Sequence, residues 1–526
     1  MTEQKVLLDI PEVATATANA QESCGPLKLK AVDRSQLMMI TLDLDSSISS
    51  EHKARAIWDL TGTLDLTSFH SDIHSQAGKP GRQHNDPRLL ISLWLYAYSE
   101  GMSSARELSR AMEHEPGLRW LAGLQVVNHT TLSDFRKDYR AALDEMFTQL
   151  LAVMEGAGLV SLEQVMHDGT KIQAQASGNS FRREKTVRER LQQAREVVAE
   201  LGNPDDEEKA SRRQAARRRA ARQQVERLEA AMLELQEIQQ TKHGDEEKAQ
   251  ARVSITEPEA RMMKHGNDGG IAPSYNLQLT TDGAEKVIVR QELTTSSSDG
   301  SVNLVSVVDD VDESLGRKPD QLVADGGYTN RKNIIELADA GVDFIGSLPE
   351  KEVRQAANLK AAGIAEEFAG DRFTKTGEGN ALLCPAGKRL DYRRIQYKHG
   401  QHGNGYEVYQ AKGSDCIACQ FHDQCCPKGF QKGRTVCLLI SETPQVAEFR
   451  EKMQTEAAKQ AYQNRAPVAE SPNAWIKEKF GIRKFRLRGL TKAGIEALWA
   501  CLTYNVMQWI RLVWRQRQQV TMAMAG

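Results

Sequence analysis

Net charge of either sign is almost absent from this chain: its 69 Lys and Arg nearly cancel its 71 Asp and Glu, leaving a formal −2. Binding a polyanion normally rests on an excess of cations that neutralise phosphates, so the whole-chain charge gives no support to a nucleic-acid partner. A basic start followed by an apolar run and a small-residue cleavage site is also missing, which argues against secretion. Long apolar runs free of polar groups are missing too. The most apolar window, Ala497 to Trp514, carries Asn505, Gln508 and Arg511, costly in lipid, and reads as a buried helix of a soluble protein. A cytoplasmic protein without membrane contact is expected. The 8 cysteines are too few for a disulfide scaffold, and most crowd between Cys416 and Cys437, which suggests metal instead of bridges.

What the chain does have is length and local charge. Its 526 residues exceed one ordinary core, and a composition 40% apolar and 27% charged can bury several. Arg212 to Arg222 reads RRQAARRRAAR, Arg483 to Arg488 reads RKFRLR, and Asp205 to Glu208 reads DDEE. Residues 1–45 lack periodicity and include TATANAQESCG, so they read as a flexible arm. Residues 46–154 read as an all-α domain: Leu89, Leu90, Leu93, Trp94 and Tyr96 recur at helical spacing after Asp86-Pro87, an N-cap followed by Pro in the first turn. Within it Ser103 to Leu108 opens one short helix and His129 to Lys137 another, with a turn around Gly123. A helix-turn-helix of this layout would present Thr130, Thr131, Ser133, Arg136 and Lys137 to a DNA major groove. A helical bundle with polar, solvated faces is the plainer reading.

Residues 155–350 change character. A short apolar strand ends in His167-Asp168-Gly169, with Ile172 and Ala174 alternating beyond it. Residues 182–252 are rich in Glu, Arg, Ala and Gln, with Leu228, Met232 and Leu235 at helical spacing and a break at Gly202-Asn203-Pro204; one or two long surface helices are expected, solvated by default, with DNA contact or dimerisation as the minority reading. Strands are expected over Ser274 to Thr281 and Lys286 to Leu293, joined by an Asp282-Gly283 turn. An amphipathic helix follows near Val302 to Leu315, then a buried strand Gln321 to Ala324 ending in Asp325-Gly326-Gly327-Tyr328, a helix from Asn330, and Val342 to Leu348. This order predicts an α/β mixed sheet covered by helices.

Asp168 and Asp325 each follow a short apolar strand and precede Gly, where open α/β sheets place ligand-binding groups. Taken singly, such residues are more often turn or cap formers. Two of them meeting at one sheet edge repel, and a divalent cation that takes oxygen ligands relieves the repulsion. A third carboxylate, Glu470, stands at the start of an expected helix after Pro472, near Tyr462 and Arg465 and ahead of Lys477, Lys479, Arg483 and Lys484, cations suited to phosphates. An N-capping Glu beside a solvated basic face is the bland alternative.

Longer stretches stand in order around these acids: HNDPRLLISLWLYAYSEGMSSARELSR, WLAGLQVVNHTTLSDFR, HDGTKIQAQAS, ARMMKHGNDGGIAPSYNLQLTTD, VADGGYTN and FRLRGLTKAGIEALWACLTYN. Through them, from about Asp86 to Trp509, the chain resembles the DDE transposases of bacterial insertion sequences, most closely the insertion sequence eleven-eighty-two group. The resemblance implies an RNase-H-like catalytic core in which Asp168, Asp325 and Glu470 are the catalytic acids and hold two Mg²⁺ or Mn²⁺ ions. It implies cleavage and strand transfer at the ends of a mobile element, with terminal inverted repeats and target DNA as partners and a homo-oligomer on DNA. Lys477, Arg483 and Lys484 would contact the DNA. Related families space these residues Tyr-x₂-Arg-x₃-Glu-x₆-Lys; here four residues separate Arg465 from Glu470, and Glu478 and Glu496 are the other candidates for the third acid. A nuclease of the same fold that cuts without joining, and a DNA-binding protein without catalysis, are the alternative functions.

Residues 351–450 form a Cys-rich insertion, in which Cys384-Pro-Ala-Gly-Lys precedes Cys416-x₂-Cys419 and Cys425-Cys426. Thiolates in this number suit tetrahedral Zn²⁺ in a ribbon, with Cys384, Cys416, Cys419 and Cys425 as candidate ligands and His422 and Cys426 competing; reduced thiols are the other reading. Residues 451–515 complete the core with the third acid, and 516–526 form a tail.

Overall fold

The computed structural model describes residues 41, 43–71, 84–201, 212–242, 244–266, 270–347, 359, 361–377, 381–397, 405–427, 432–440 and 443–519. The expected arm up to residue 40, the Gly202-Asn203-Pro204 break, the Asp205 to Glu208 run, Leu348 and the tail from residue 520 lie outside the described residues. The chain divides into two units, Met1–Asp43 and Leu44–Gly526, and the second contains all that follows.

Helices come first: α1 (Lys53–Thr61), α2 (Pro87–Ser99), α3 (Ala105–Ala111), α4 (Pro116–Leu121), α5 (His129–Asp138) and α6 (Arg140–Gly156). Their starts follow from the sequence. The side chains of His52, Asp86, Ser104, Glu115 and Asn128 each accept a first-turn N–H, and Pro87 and Pro116 occupy first-turn positions where no N–H is needed. The two-helix layout expected around Gly123 is therefore a three-helix one, because Glu115-Pro116 opens α4 between α3 and α5.

The chain then builds a six-stranded sheet. After β1 (Gln164–Gln173) comes β2 (Phe181–Arg182), then the excursion α7 (Glu184–Glu200), α8 (Arg212–Gln240) and α9 (Asp245–Ala249), and then β3 (Val253–Ser254), which pairs with β2. The excursion has its own small core of Val187, Ala194, Leu228, Ala231, Leu235 and Val253. Next are β4 (Arg261–Lys264), β5 (Ile271–Asp282), β6 (Ile288–Thr294), α10 (Leu304–Leu315), β7 (Gln321–Ala324), α11 (Arg331–Asp339) and β8 (Asp343–Ile345). The strand order is β4-β5-β1-β7-β8, with β6 also paired to β5. β1 runs antiparallel to β5 and parallel to β7, which is parallel to β8.

A second, antiparallel sheet follows, made of β9 (Thr374–Lys375), β10 (Ala381–Leu383), β11 (Arg389–Tyr397) and β12 (Gly405–Ala411), then, past the short helices α12 (Gly413–Ile417) and α13 (His422–Cys425), β13 (Thr435–Leu439). Its core is Phe373, Leu382, Leu390, Tyr409, Ala411 and Val436. The chain ends in α14 (Pro444–Lys452), α15 (Glu456–Gln463), α16 (Arg465–Ala474), a π turn at Trp475–Lys479 and α17 (Leu490–Trp509).

Nearly all of α17 is buried, against α2, α5, α6 and β6, so the N-terminal helices and the sheet share one hydrophobic core. Asn505 is paired inside that core. The Asn505 amide donates to Ile288 O at 2.8 Å and its Oδ1 accepts the Ile288 N–H at 3.0 Å, so a side chain finishes the outer edge of β6. Among the described residues no helix is long and apolar enough to cross a membrane.

Two local expectations are corrected. β1 does not end before Asp168 but continues to Gln173, because Gly169 is a ladder residue paired with Gln278 and not a turn. The helix expected after Pro472 already begins at Arg465, and Pro472 lies inside it, just ahead of the π turn.

Candidate active site

The parallel register of β1 and β7 pairs His167 with Ala324, so the next residue on each strand path is an acid, Asp168 and Asp325. Neighbouring strands lie about 4.8 Å apart, which sets the two acids side by side where β7 stops and β1 runs on. Asp325 turns its chain at once: its Oδ1 accepts the Gly327 N–H at 2.7 Å and its carbonyl accepts the Thr329 hydroxyl at 2.9 Å.

The floor beneath them is a buried polar network. Gln278 on β5 accepts from the Tyr328 hydroxyl at 2.6 Å, and its Oε1 lies 3.0 Å from His167 Nε2. Nδ1 of His167 is 2.9 Å from the Thr280 hydroxyl, and its ring meets Tyr328 edge to face. Burial, and then the charge of Arg290, push His167 down to about 3, so it is neutral and structural in this floor. The close approach explains Gly169: a Cβ there would lie 2.5 Å from Gln278 Nε2 and 2.7 Å from the Tyr328 hydroxyl.

From above, α16 leans on Asp168. Asn473 donates to Asp168 Oδ2 at 3.1 Å, and the Arg465 guanidinium comes within 4.0 Å of Oδ1. Asp168 is pushed up to about 6, first by burial and further by the charges of Asp325 and Asp299, with Arg465 pulling the other way. Lys477, half-buried in the π turn, is lowered by burial and by Arg483, while Asp168 raises it. The basic run is tied to the same strand: Gln173 N–H donates to Arg483 O at 3.1 Å and Phe485 N–H to Gln173 O at 2.9 Å, which makes Lys484 a bridge partner of β1.

The three expected acids are not equally placed. Asp168 and Asp325 are neighbours, whereas Glu470 is exposed on α16, the helix that carries Arg465 and Asn473. The rival acids are engaged elsewhere: Glu478 pairs with Arg483, and buried Glu496 accepts the N–H groups of Arg486 at 2.9 Å and Leu487 at 3.0 Å. Two residues reach the site without having been singled out for it in the sequence: Asn473 and Asp299 carried no signal of their own. Arg465, named beside Glu470 in the sequence, reaches Asp168 although it sits one position off the family spacing.

On α5, Thr130 is exposed, and Thr131 and Ser133 are half-buried. Lys137 pairs with Asp134. Arg136 is not on the surface. It is 4% exposed, donates to Ser103 O at 2.5 Å and stacks 4.7 Å from the Trp94 ring, so it belongs to the core and not to a groove-reading face.

In the second sheet Cys384, Cys416, Cys419, Cys425, Cys426 and His422 line one cavity. The Lys388 N–H donates to Cys384 Sγ at 3.2 Å and the Arg434 N–H to Cys416 Sγ at 3.3 Å. Burial pushes the Cys426 thiol up to about 12, with Cys425 and Cys416 adding to it. Among the described residues no three His, Cys, Asp or Glu side chains stand arranged as a ready cage for an ion, here or at the paired aspartates.

Two adjacent acids on a mixed sheet, with a basic segment paired to the same strand, form the candidate site. Residues 383–510 match the family model described as Transposase DDE domain, and residues 42–138 match the one described as Transposase domain (DUF772). The two matches support an insertion-sequence transposase. Each covers less than half of the chain, and Asp168 and Asp325 lie outside both, while Glu470 lies inside the first. A comparison with curated proteins found no match.

Proposed function

We propose that the chain is a DDE transposase of the insertion sequence eleven-eighty-two group, with an RNase-H-like core, that cleaves element ends and joins them to target DNA. The observation that carries this reading is the register of β1 and β7, which makes Asp168 and Asp325 neighbours beside Arg465, Lys477 and the β1-bonded Arg483 to Phe485 segment. Asp168 and Asp325 would hold the divalent ions, Mg²⁺ or Mn²⁺, with Glu470 as third ligand. The donor set fits a hard cation: two adjacent carboxylates offer oxygen ligands, and the buried Oδ1 atoms of Asn276 and Asn473 have no protein partner and are free to accept from a hydration shell.

Bound there, the metal would stabilise charge on the attacking and leaving oxygens of a displacement at phosphorus. The chain's own residues do the rest. Arg465 and Asn473 fix the Asp168 carboxylate, and Lys477, Arg483 and Lys484 draw the phosphate backbone toward it. Thr130, Thr131, Ser133 and Lys137 on α5 would touch the duplex at a distance from the chemistry. Synapsis of two ends calls for at least two protomers. For the thiol-lined cavity the same reading gives a structural Zn²⁺ held from among Cys384, Cys416, Cys419 and Cys425, supported by the two backbone N–H···S bonds.

The test is cleavage and joining of a labelled duplex carrying the element's ends, with Mg²⁺ or Mn²⁺, by wild type, Asp168→Asn, Asp325→Asn and Glu470→Gln. Loss of chemistry in all three with DNA binding kept supports the reading. Cutting without joined products turns it into a nuclease, and binding without cutting into a DNA-binding protein.

A further inference from the structure

We propose that Asp299 is a further acid of the metal site, facing the same space as Asp168 and Asp325. This rests on the reading of the site given above.

Asp299 opens a short 3₁₀ turn between β6 and α10. The chain folds this turn back over the Asp325 loop: a Cβ on Gly327 would lie 2.9 Å from Asp325 Oδ1, 3.4 Å from Asp299 Cβ and 3.6 Å from Asp299 Oδ2. One glycine therefore separates the two carboxylates. Oδ1 of Asp299 is gripped by the Asn276 amide at 2.9 Å, and Oδ2 lies on the Gly327 side.

Asn276 is the independent observation. It is 1% exposed, and while its Nδ2 holds Asp299, its Oδ1 has no hydrogen-bond partner. That oxygen lies 3.0 Å from where a Cβ on Gly169 would stand, on the Gln278 face of β1. Asn473 repeats the pattern on the other side: Nδ2 on Asp168, and a buried Oδ1 without a partner. Two unpaired buried amide oxygens, each on an amide that grips one of these carboxylates, point to a ligand that brings both positive charge and donors. A divalent cation that keeps part of its water shell supplies both. A turn-forming aspartate alone would account for neither the Asn276 grip nor the orphaned oxygens.

The experiment is Mn²⁺ titration of the full chain, followed by calorimetry and by the electron paramagnetic resonance of free Mn²⁺. The variants are Asp299→Asn, Asp299→Glu, Asp168→Asn and Asp325→Asn. Asp299→Asn still accepts from Asn276, so the turn is kept, and thermal melting checks it. The expected result is Mn²⁺ affinity lowered about tenfold or more in Asp299→Asn, with Asp299→Glu retaining most of it. Affinity unchanged in Asp299→Asn but lost in Asp168→Asn and Asp325→Asn overturns the proposal and leaves the site reading intact. Affinity unchanged in all four overturns both.

Discussion

Arg465 holds its guanidinium 4.0 Å from Asp168, a charge-compensating contact drawn across from α16 to β1. Asp168 nevertheless sits at about 6, above its ordinary 3.8, because burial outweighs the arginine. The folded chain therefore binds this proton more tightly than the unfolded one. Its contribution to stability is present below pH 3.8, declines as pH rises toward about 6 and is gone above it. On the proposed reading metal binding and activity need the carboxylate, so they are expected to fall as pH drops through about 6, and Arg465→Gln to move that midpoint upward. A pH profile of Mn²⁺ binding in both proteins checks the direction; a downward move would contradict the electrostatics.

Gly169→Ala is expected to cost about 1–3 kcal/mol, since its Cβ would press on the Gln278 amide and the Tyr328 hydroxyl. Because the pressure falls on the floor of the site, activity should fall by more than the fraction of unfolded protein explains. Denaturant melts beside cleavage rates separate the two.

Arg136 and Lys484 should behave oppositely. Arg136→Met removes a buried donor to Ser103 O and is expected to lower stability by about 2–3 kcal/mol with little change in the salt dependence of DNA binding. Lys484→Ala, on the exposed basic run, should leave melting unchanged and reduce the salt slope by about one phosphate contact. Binding isotherms at several salt concentrations distinguish them.

Asn505→Leu should be among the costliest single changes in α17. It strips both hydrogen bonds from the Ile288 backbone in a buried place, at about 1–3 kcal/mol for each orphaned group. Hydrogen exchange at Ile288 is the local readout, and slow exchange retained in the variant would show that another group takes over the strand edge.

If the thiol cavity holds zinc, the purified chain carries it in equimolar amount by elemental analysis, and Cys384→Ser with Cys416→Ser abolishes it. A strong chelator should then loosen the second sheet first, visible as proteolysis between β10 and β13. Metal-free protein with unchanged proteolysis would assign the cavity to reduced thiols.

Much of the sheet could be read from the chain because its strands are short apolar runs with plain ends. Gln321–Ala324 is the clearest, with Asp325 placed by the same pattern. β1 was harder, because its second half mixes the polar Thr170, Lys171 and Gln173 with Ile172, and Gly169 looked like a turn when it is a clearance residue. Arg136 misled by its charge, although its place four residues after buried Leu132 already put it on the inner face of α5. Asp299 and Asn473 could not be found by pattern at all. Their neighbours, Asn276 and Asp168, are distant in sequence, and Ser-Ser-Ser-Asp-Gly reads as loop chemistry until the fold closes it over Gly327.

The clasp between β2 and β3 has a consequence for how such a chain can be rebuilt. Phe181 faces Ser254 across it, so everything from α7 to α9 departs and returns at a single doorway, with its own interior. A shorter hairpin, a foreign helical pair or a reporter domain spliced at that doorway would leave β1 uncut. The same geometry lets this segment drift in length and composition over generations while the acids stay where they are.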